Sequence, residues 1–257
     1  LHDALPIWEK IPKYLEAWCP INAKVGDVVG VEYQEMNKRK MQMILYGFPV
    51  LSVIAGAVFG NSIAVFFDID GTLINIHNNQ TRMSTAVRSA IHDLRAAGHH
   101  TFIATGRPWA YLSPELTESG LFDGFIVMNG AAVLLEGKVI YQKPLPMETV
   151  KQIIAIAEQH QIEYILEGYP KVYLKEEYKG LEEVYRAIDI DIDRFVRDYT
   201  LDTISVSKME FLCDTAGANG VFKQLLGWPG LTGLIDPTLL KYMELYAADI
   251  SKGTGIL

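Results

Sequence analysis

The sequence predicts an α/β fold: a parallel sheet of βαβ units, with a second α+β lobe inserted into it. Two observations carry this. Three short apolar runs, Ile63–Phe67, Thr101–Ala104 and Gly124–Met128, are each closed by a polar or glycine-containing turn and alternate with helical patterns, the signature of strands buried on both faces. The turns that close them are followed by a third polar motif at very uneven spacing. Asp70 to Thr105 spans 35 residues, but Thr105 to Lys252 spans 147, far more than the sheet needs. The extra chain must build a lobe of its own.

The first strand, Ile63-Ala64-Val65-Phe66-Phe67, ends in Asp68-Ile69-Asp70-Gly71-Thr72. Val87, Ala90, Ile91, Leu94 and Ala97 then recur at helical spacing, and Gly98 stops the helix. Thr101–Ala104 ends in Thr105-Gly106-Arg107-Pro108, and Gly124–Met128 ends in Asn129-Gly130. Val133–Leu135 and Val139–Tyr141, joined through Glu136-Gly137-Lys138, read as a hairpin. From about Met147 to Asp236 the pattern changes to a helix at Glu148–Gln159, an alternating run at Ile162–Leu166, a charged stretch at Lys175–Arg186 and a helix at Asn219–Leu226. Tyr242–Tyr246 is expected to return the chain to the first sheet. The expected organisation is therefore a core at 61–146, the lobe at 147–236, and the core again at 237–257.

The N-terminal region has another character. Leu1–Ile7 resembles the translation of a short-read sequencing adapter and is set apart from the fold. Residues 8–60 are expected to be foreign to the α/β part. Within them, Ala23–Val31 reads as a turn and short strand. Met41–Phe59 is almost wholly apolar and follows Lys38-Arg39-Lys40; nineteen such residues can span a bilayer, although a buried helix is the alternative and Gly47, Pro49 and Gly56 interrupt a straight span. Val25–Gly60 resembles the region around the first membrane span of the RseC/MucC regulators of the envelope-stress sigma factor.

The chemistry concentrates at strand ends, where ligands of parallel sheets bind. Asp68 and Asp70 are two apart and can face one substrate. One carboxylate can attack phosphorus; the other can protonate the leaving oxygen and then activate water. Gly71 permits a sharp turn beside a ligand. A calcium loop is the obvious rival, but its Gly and Glu positions hold Leu73 and Asn79 here. A solvated turn is the other alternative. Thr105, with backbone N–H groups at a helix start, suits a phosphate oxygen, and is equally a threonine cap. Lys252, followed by glycine before a helix, is an exposed cap lysine or a cation for an anionic substrate.

FFDIDGTLI, FIATGRP and ISKGTGI, in this order, resemble motifs I, II and III of the haloacid dehalogenase (HAD) superfamily, in its Cof-type sugar-phosphatase branch, over residues 62–257. The resemblance implies a Rossmann-like core with a cap domain between motifs II and III. It implies Asp68 as nucleophile, Asp70 as general acid/base, and Thr105 and Lys252 as phosphate holders. Gly71, Thr72, Gly106, Arg107 and Asn129 would line the substrate. Magnesium would be held by the Asp68 carboxylate and the Asp70 carbonyl. The family completes that metal site with a Gly-Asp-Gly-x-Asn-Asp motif after the lysine. Five residues follow Lys252, none of them acidic, and Asp214–Gly220 is a lookalike that lacks the paired aspartates, so the chain is expected to be truncated before that motif and inactive as it stands.

The 257 residues carry a net charge of −8, which disfavours nucleic-acid binding. Cys19 and Cys213 make neither a disulfide framework nor a zinc pattern. The expected partner is a small phosphorylated metabolite in the cytoplasm, with membrane contact only through 41–59 and no oligomeric state specified. The competing reading is a membrane regulator fragment whose HAD portion is not catalytic.

Overall fold

A computed structural model describes residues 29–30, 54–59, 62–74, 80–212, 216–235 and 242–256. The chain divides into two compact units. The first comprises Leu1–Thr105, Pro114–Phe125 and Ile256–Leu257; the second comprises Gly106–Ser113 and Ile126–Gly255.

In the first unit β1 (Val29–Gly30), β2 (Ile54–Phe59), β3 (Ser62–Phe67), β4 (His100–Ala104) and β5 (Gly124–Val127) are neighbours in that order. β3 and β4 run parallel, with Phe67 opposite Ile103. β1–β2 and β2–β3 are antiparallel, so the expected parallel sheet is a mixed one. The expected helix over 41–59 is also corrected. Ile54–Phe59 is a strand paired between β1 and β3, a place its β-branched and aromatic residues suit. Residues 41–53 lie outside the described residues. Among the described residues no helix is long and apolar enough to cross a membrane.

The helix α1 (Thr85–Ala96) links β3 to β4. Ser84 caps it by accepting from the Val87 amide at 3.2 Å. Gly98, at φ +86°, ends it, and the His99 amide reaches back to the Leu94 carbonyl at 3.1 Å. Val87 and Ile91 are the fully buried members of its apolar face. Ala97, expected on that face, is the exposed C-cap. The next crossover is shorter, ending in the single turn α2 (Pro114–Thr117).

The second unit begins with the β6 (Ala132–Leu135) and β7 (Lys138–Gln142) hairpin. Glu136 and Gly137 both have positive φ, the backbone a tight two-residue hairpin turn requires. Then follow α3 (Met147–Gln159), β8 (Glu163–Glu167), β9 (Val172–Leu174), α4 (Lys179–Ala187), β10 (Lys208–Leu212), α5 (Ala216–Leu226), β11 (Leu231–Ile235), β12 (Tyr242–Ala247) and α6 (Lys252–Ile256). Five strands form an antiparallel sheet in the order β11-β12-β10-β8-β9. The return to the first sheet expected at Tyr242–Tyr246 does not occur: β12 pairs with β10 and β11. Its alternation of buried Met243 and Leu245 with more exposed neighbours matches a sheet with two unlike faces. One face carries Tyr164, Leu166, Met209, Phe211, Met243 and Leu245, and Phe211 packs on Phe222 of α5 with ring centroids 6.0 Å apart. The opposite face carries Glu167, Lys208, Glu210 and Glu244. Ala216–Gly220 of the expected acidic-motif lookalike begins α5, while 213–215 lie outside the described residues.

One ionic contact pins the start of β4. Asp123 lies 2.7 Å from the Arg95 guanidinium and accepts from the Thr101 amide at 2.9 Å. Partial burial pushes its carboxyl up, but Arg95, Thr101 and His100 together hold it below its usual 3.8. Because the folded value is depressed, this stabilisation is present above the unfolded value and is lost as pH falls through the folded one. Asp123→Asn is therefore expected to cost about 1 kcal/mol near neutral pH, discounted for exposure, and less as the pH drops below 3.8. Urea denaturation across pH tests this; a penalty constant with pH would refute it.

Candidate functional site

The Asp68 loop follows directly from the end of β3. Ile69 is fully buried between a half-buried Asp68 and an exposed Asp70, so the two carboxylates share the solvent side as the alternation requires. The Ile69 amide donates to Asp68 Oδ1 at 2.8 Å and orients that carboxylate. The Ile69 carbonyl accepts from the Leu73 amide at 2.9 Å and the Ile74 amide at 3.0 Å, and the Gly71 amide returns to the Ile74 carbonyl at 2.8 Å. Gly71 makes this turn at φ +77°, which a side chain would strain. Thr72 is buried within it.

Thr105 is fully buried one residue past β4. Since β3 and β4 are parallel with Phe67 opposite Ile103, Asp68 falls opposite Ala104, and Thr105 follows. The register thus brings Asp68, Asp70, Gly71, Thr72 and Thr105 to one end of the first unit's sheet. Oxygen donors of this type, a carboxylate and a backbone carbonyl, match the chemistry of magnesium, which usually keeps several waters. Among the described residues no group of three or more His, Cys, Asp or Glu side chains is placed to hold a metal.

The remaining sequence candidates lie in the second unit, as three interlocked loops. The Met128 amide donates to the Arg107 carbonyl at 3.0 Å. Asn129 adopts φ +56°, and a Cβ on Gly106 would come within 2.9 Å of Asn129 Oδ1. A Cβ on Gly130 would collide with the carbonyl oxygen of Ser251, and Gly130 sits at φ +101°. Ser251 caps α6: its Oγ accepts from the Thr254 amide at 3.0 Å, and Thr254 Oγ1 accepts from the Ser251 amide at 2.8 Å. Lys252 is the first residue of that helix.

Beside these loops lies a buried charged group that sequence reasoning missed. Lys208 is 2% exposed, and its Nζ stands 2.6 Å from Glu210, 2.8 Å from Glu244, 3.0 Å from the Gly106 carbonyl and 3.5 Å from Glu167. Tyr185 donates a short hydrogen bond to Glu210, and Tyr111 lies 3.4 Å from the same oxygen. Burial, reinforced by the charge of Glu210, pushes the Glu167 carboxyl well above the usual carboxylate range. Burial acts to lower the Lys208 ammonium, but Glu167, Glu210 and Glu244 outweigh it and hold Lys208 well above its ordinary value. The sequence signal was only charge at alternate positions of β10, which reads as an exposed strand face.

A family profile for haloacid dehalogenase-like hydrolases matches residues 65–257. The chain belongs to that family. A second profile, for the RseC/MucC positive regulator of sigma(E), matches residues 7–82. Among curated proteins, this HAD chain is 33% identical over 122 residues to YkrA of Bacillus subtilis, which bears a provisional phosphatase name; the match covers 47% of this chain and 46% of YkrA. It is 34% identical over 89 residues to the HMP-PP phosphatase of Yersinia pestis, covering 34% of this chain and 32% of that protein. The chain spans less than half the length of the curated relatives it matches. A solved HAD subclass IIB sugar phosphatase, BT4131, superposes with a TM-score of 0.62 at 27% identity, over 75% of this chain and 73% of that one. TM0651 from Thermotoga maritima, at 21% identity over 74% of this chain and 71% of its own, with a TM-score of 0.59, shares the fold.

The glycines of the HAD loops differ in what a side chain would meet. Gly71→Ala meets only conformational strain, since nothing lies within 4 Å of its Cβ, and should cost about 1 kcal/mol. Gly130→Ala adds a backbone collision and should cost roughly 2–5 kcal/mol. Chemical denaturation of the two variants should rank them in that order; equal costs would mean that the Ser251 contact is not tight.

Proposed function

We propose that this chain is the catalytic part of a magnesium-dependent phosphatase that hydrolyses small phosphomonoesters, such as sugar phosphates or phosphorylated cofactors, through an aspartyl-phosphate. The observation that carries the reading is the arrival of Asp68, Asp70 and Thr105 at the carboxyl ends of two parallel strands in register. The names of the HMP-PP phosphatase and the sugar phosphatase support a small phosphorylated substrate, and we place the reaction in the cytoplasm, where such metabolites are made.

In the proposed reaction an Asp68 carboxylate oxygen attacks phosphorus. The ester P–O bond breaks, and Asp70 gives its proton to the leaving oxygen. Asp70 then takes a proton from water, which attacks phosphorus, releases inorganic phosphate and restores Asp68. Thr105 donates to a phosphate oxygen, and Lys252 supplies positive charge to it. Gly71, Thr72, Gly106, Arg107 and Asn129 line the bound substrate. The carboxylate of Asp68 and the carbonyl of Asp70 would hold magnesium, which when bound offsets the charge between carboxylate and phosphate. Two oxygen donors leave room in a magnesium shell for water and phosphate oxygens, and a calorimetric magnesium titration of residues 1–257 measures the affinity directly.

With p-nitrophenyl phosphate and saturating magnesium, Asp68→Asn should abolish turnover, because an amide is no nucleophile toward phosphorus. Asp70→Asn should slow it by about 100-fold or more and accumulate phosphoprotein. Near wild-type hydrolysis by Asp68→Asn would defeat the mechanism. Absence of any magnesium-dependent hydrolysis in the wild-type chain would favour the second reading, a regulator fragment with a non-catalytic HAD portion, which the profile match over residues 7–82 supports for the N-terminal region.

We also propose that residues 1–60 are not part of the enzyme, with a core beginning at 61 and an inserted lobe that starts near 147 and takes in β12 (Tyr242–Ala247). A chain beginning at Asn61 should be soluble, with the same urea midpoint as the full chain. Unfolding of that chain, reversed by adding back residues 8–60, would disprove this.

A further inference from the structure

Lys208 has no role in the reaction just proposed, yet it is among the largest fully buried side chains of the protein. An ammonium has three protons, and each has a taker. Glu210 Oε1 is at 2.6 Å, Glu244 Oε2 at 2.8 Å and the Gly106 carbonyl at 3.0 Å. Two takers are neighbours on the sheet; the third is backbone from a loop 102 residues away in sequence. The same cluster reaches a second loop, because Asn129 Nδ2 lies 3.4 Å from Glu244 Oε1. Asn129 in turn lies against Gly106, where an added Cβ would come within 2.9 Å of Asn129 Oδ1 and push that side chain aside.

Stability alone gives little reason for this arrangement. Burying an ion pair costs more desolvation than a hydrophobic replacement of similar size, and such replacements are often neutral or stabilising. What a hydrophobic residue cannot do is hold a backbone carbonyl in place. Gly106 is bonded directly to Thr105, and its carbonyl lies in the Gly106–Arg107 peptide, so holding that carbonyl fixes the peptide plane one residue beyond Thr105 and the direction of the Arg107 amide.

We propose that Lys208, with Glu210 and Glu244 as counter-ions, is a positioning residue that holds the Gly106–Arg107 and Asn129–Gly130 loops in one fixed arrangement, and so presets the backbone next to Thr105 for a phosphate. Its consequence for catalysis rests on the function proposed above; the loop arrangement does not. Glu210 is itself steadied by Tyr185 and Tyr111. Glu167, 3.5 Å from Nζ, closes the cluster without a hydrogen bond of its own.

The Met128 amide is a direct reporter, since it donates to the Arg107 carbonyl. In the full chain, Lys208→Met should lose hydrogen-exchange protection at Met128 while the amides of β8, β10 and β12 stay protected. Lys208→Arg should keep most of the Met128 protection. In an aryl phosphatase assay with magnesium, Lys208→Met should reduce kcat/KM on the order of 100-fold, the expected cost of a misplaced binding loop. Lys151→Met, which removes an exposed pair with Asp202, should leave both readouts unchanged. If Lys208→Met fails to fold, Glu244→Gln is read in its place, with the same local loss at Met128 expected. Wild-type protection at Met128 in a folded Lys208→Met or Glu244→Gln protein overturns the proposal. A wild-type chain without phosphatase activity would instead refute the proposed reaction, and the exchange measurement would still decide the positioning role.

Discussion

The parallel pairing of β3 with β4 is the constraint on which the first unit's chemistry depends. With Phe67 opposite Ile103, the two strands end within a residue of each other, and both chains leave the sheet on the same side. A one-residue slip would draw Asp68 into the place of Phe67, which is 1% exposed here, and Phe66 and Phe67, buried on opposite faces, would have to exchange sides. Burying an uncompensated carboxylate costs far more than the few hydrogen bonds a slipped ladder could recover. The hydrophobic pattern of the strands therefore fixes the position of the carboxylates as firmly as it fixes the core.

The second unit solves a different problem. Met128 anchors one of its loops in the core. The loops are set further by close backbone approach at Gly130, by the Asn129 side chain against Gly106 and by charge at Lys208. Each device is costly in isolation: positive φ at Asn129, a missing side chain at Gly130, a desolvated ammonium at Lys208. Such costs are tolerated where the surrounding structure over-determines the geometry. The well-packed apolar face of the sheet, with Phe211 against Phe222 and helices α3 and α5 above it, supplies the stability that offsets them.

The first unit was legible in sequence because its signals are local. A buried parallel strand is a continuous apolar run, and its polar end is read from adjacent residues. Hence β3, α1, β4 and β5 lie within a residue or two of their expected limits, and the loop chemistry follows. Elements that failed share one cause. Ile54–Phe59 and Tyr242–Ala247 are apolar or alternating segments whose partner is not stated by their own residues. A strand next to β3 and a strand next to β10 read alike until the pairing is known. The Lys208 cluster was illegible for the same reason: Lys208, Glu210, Glu244 and Glu167 are charges on three strands, and only their register makes them neighbours. Charge alternating with Met209 and Phe211 predicts a wet face, and the aromatic cover of Tyr111 and Tyr185 that dries it comes from distant chain.

The antiparallel β2–β3 pair bears on the origin of the N-terminal region. The two strands lie close in sequence, with Phe59 opposite Ser62. The open edge of β3 offers a row of unpaired donors and acceptors to any adjacent β-prone run. An apolar segment placed directly before β3 would therefore add to the sheet whatever its ancestry. Pairing between β2 and β3 reflects proximity and edge chemistry, and it does not require that the segment matched by the sigma(E)-regulator profile and the hydrolase that follows were shaped by selection as one protein.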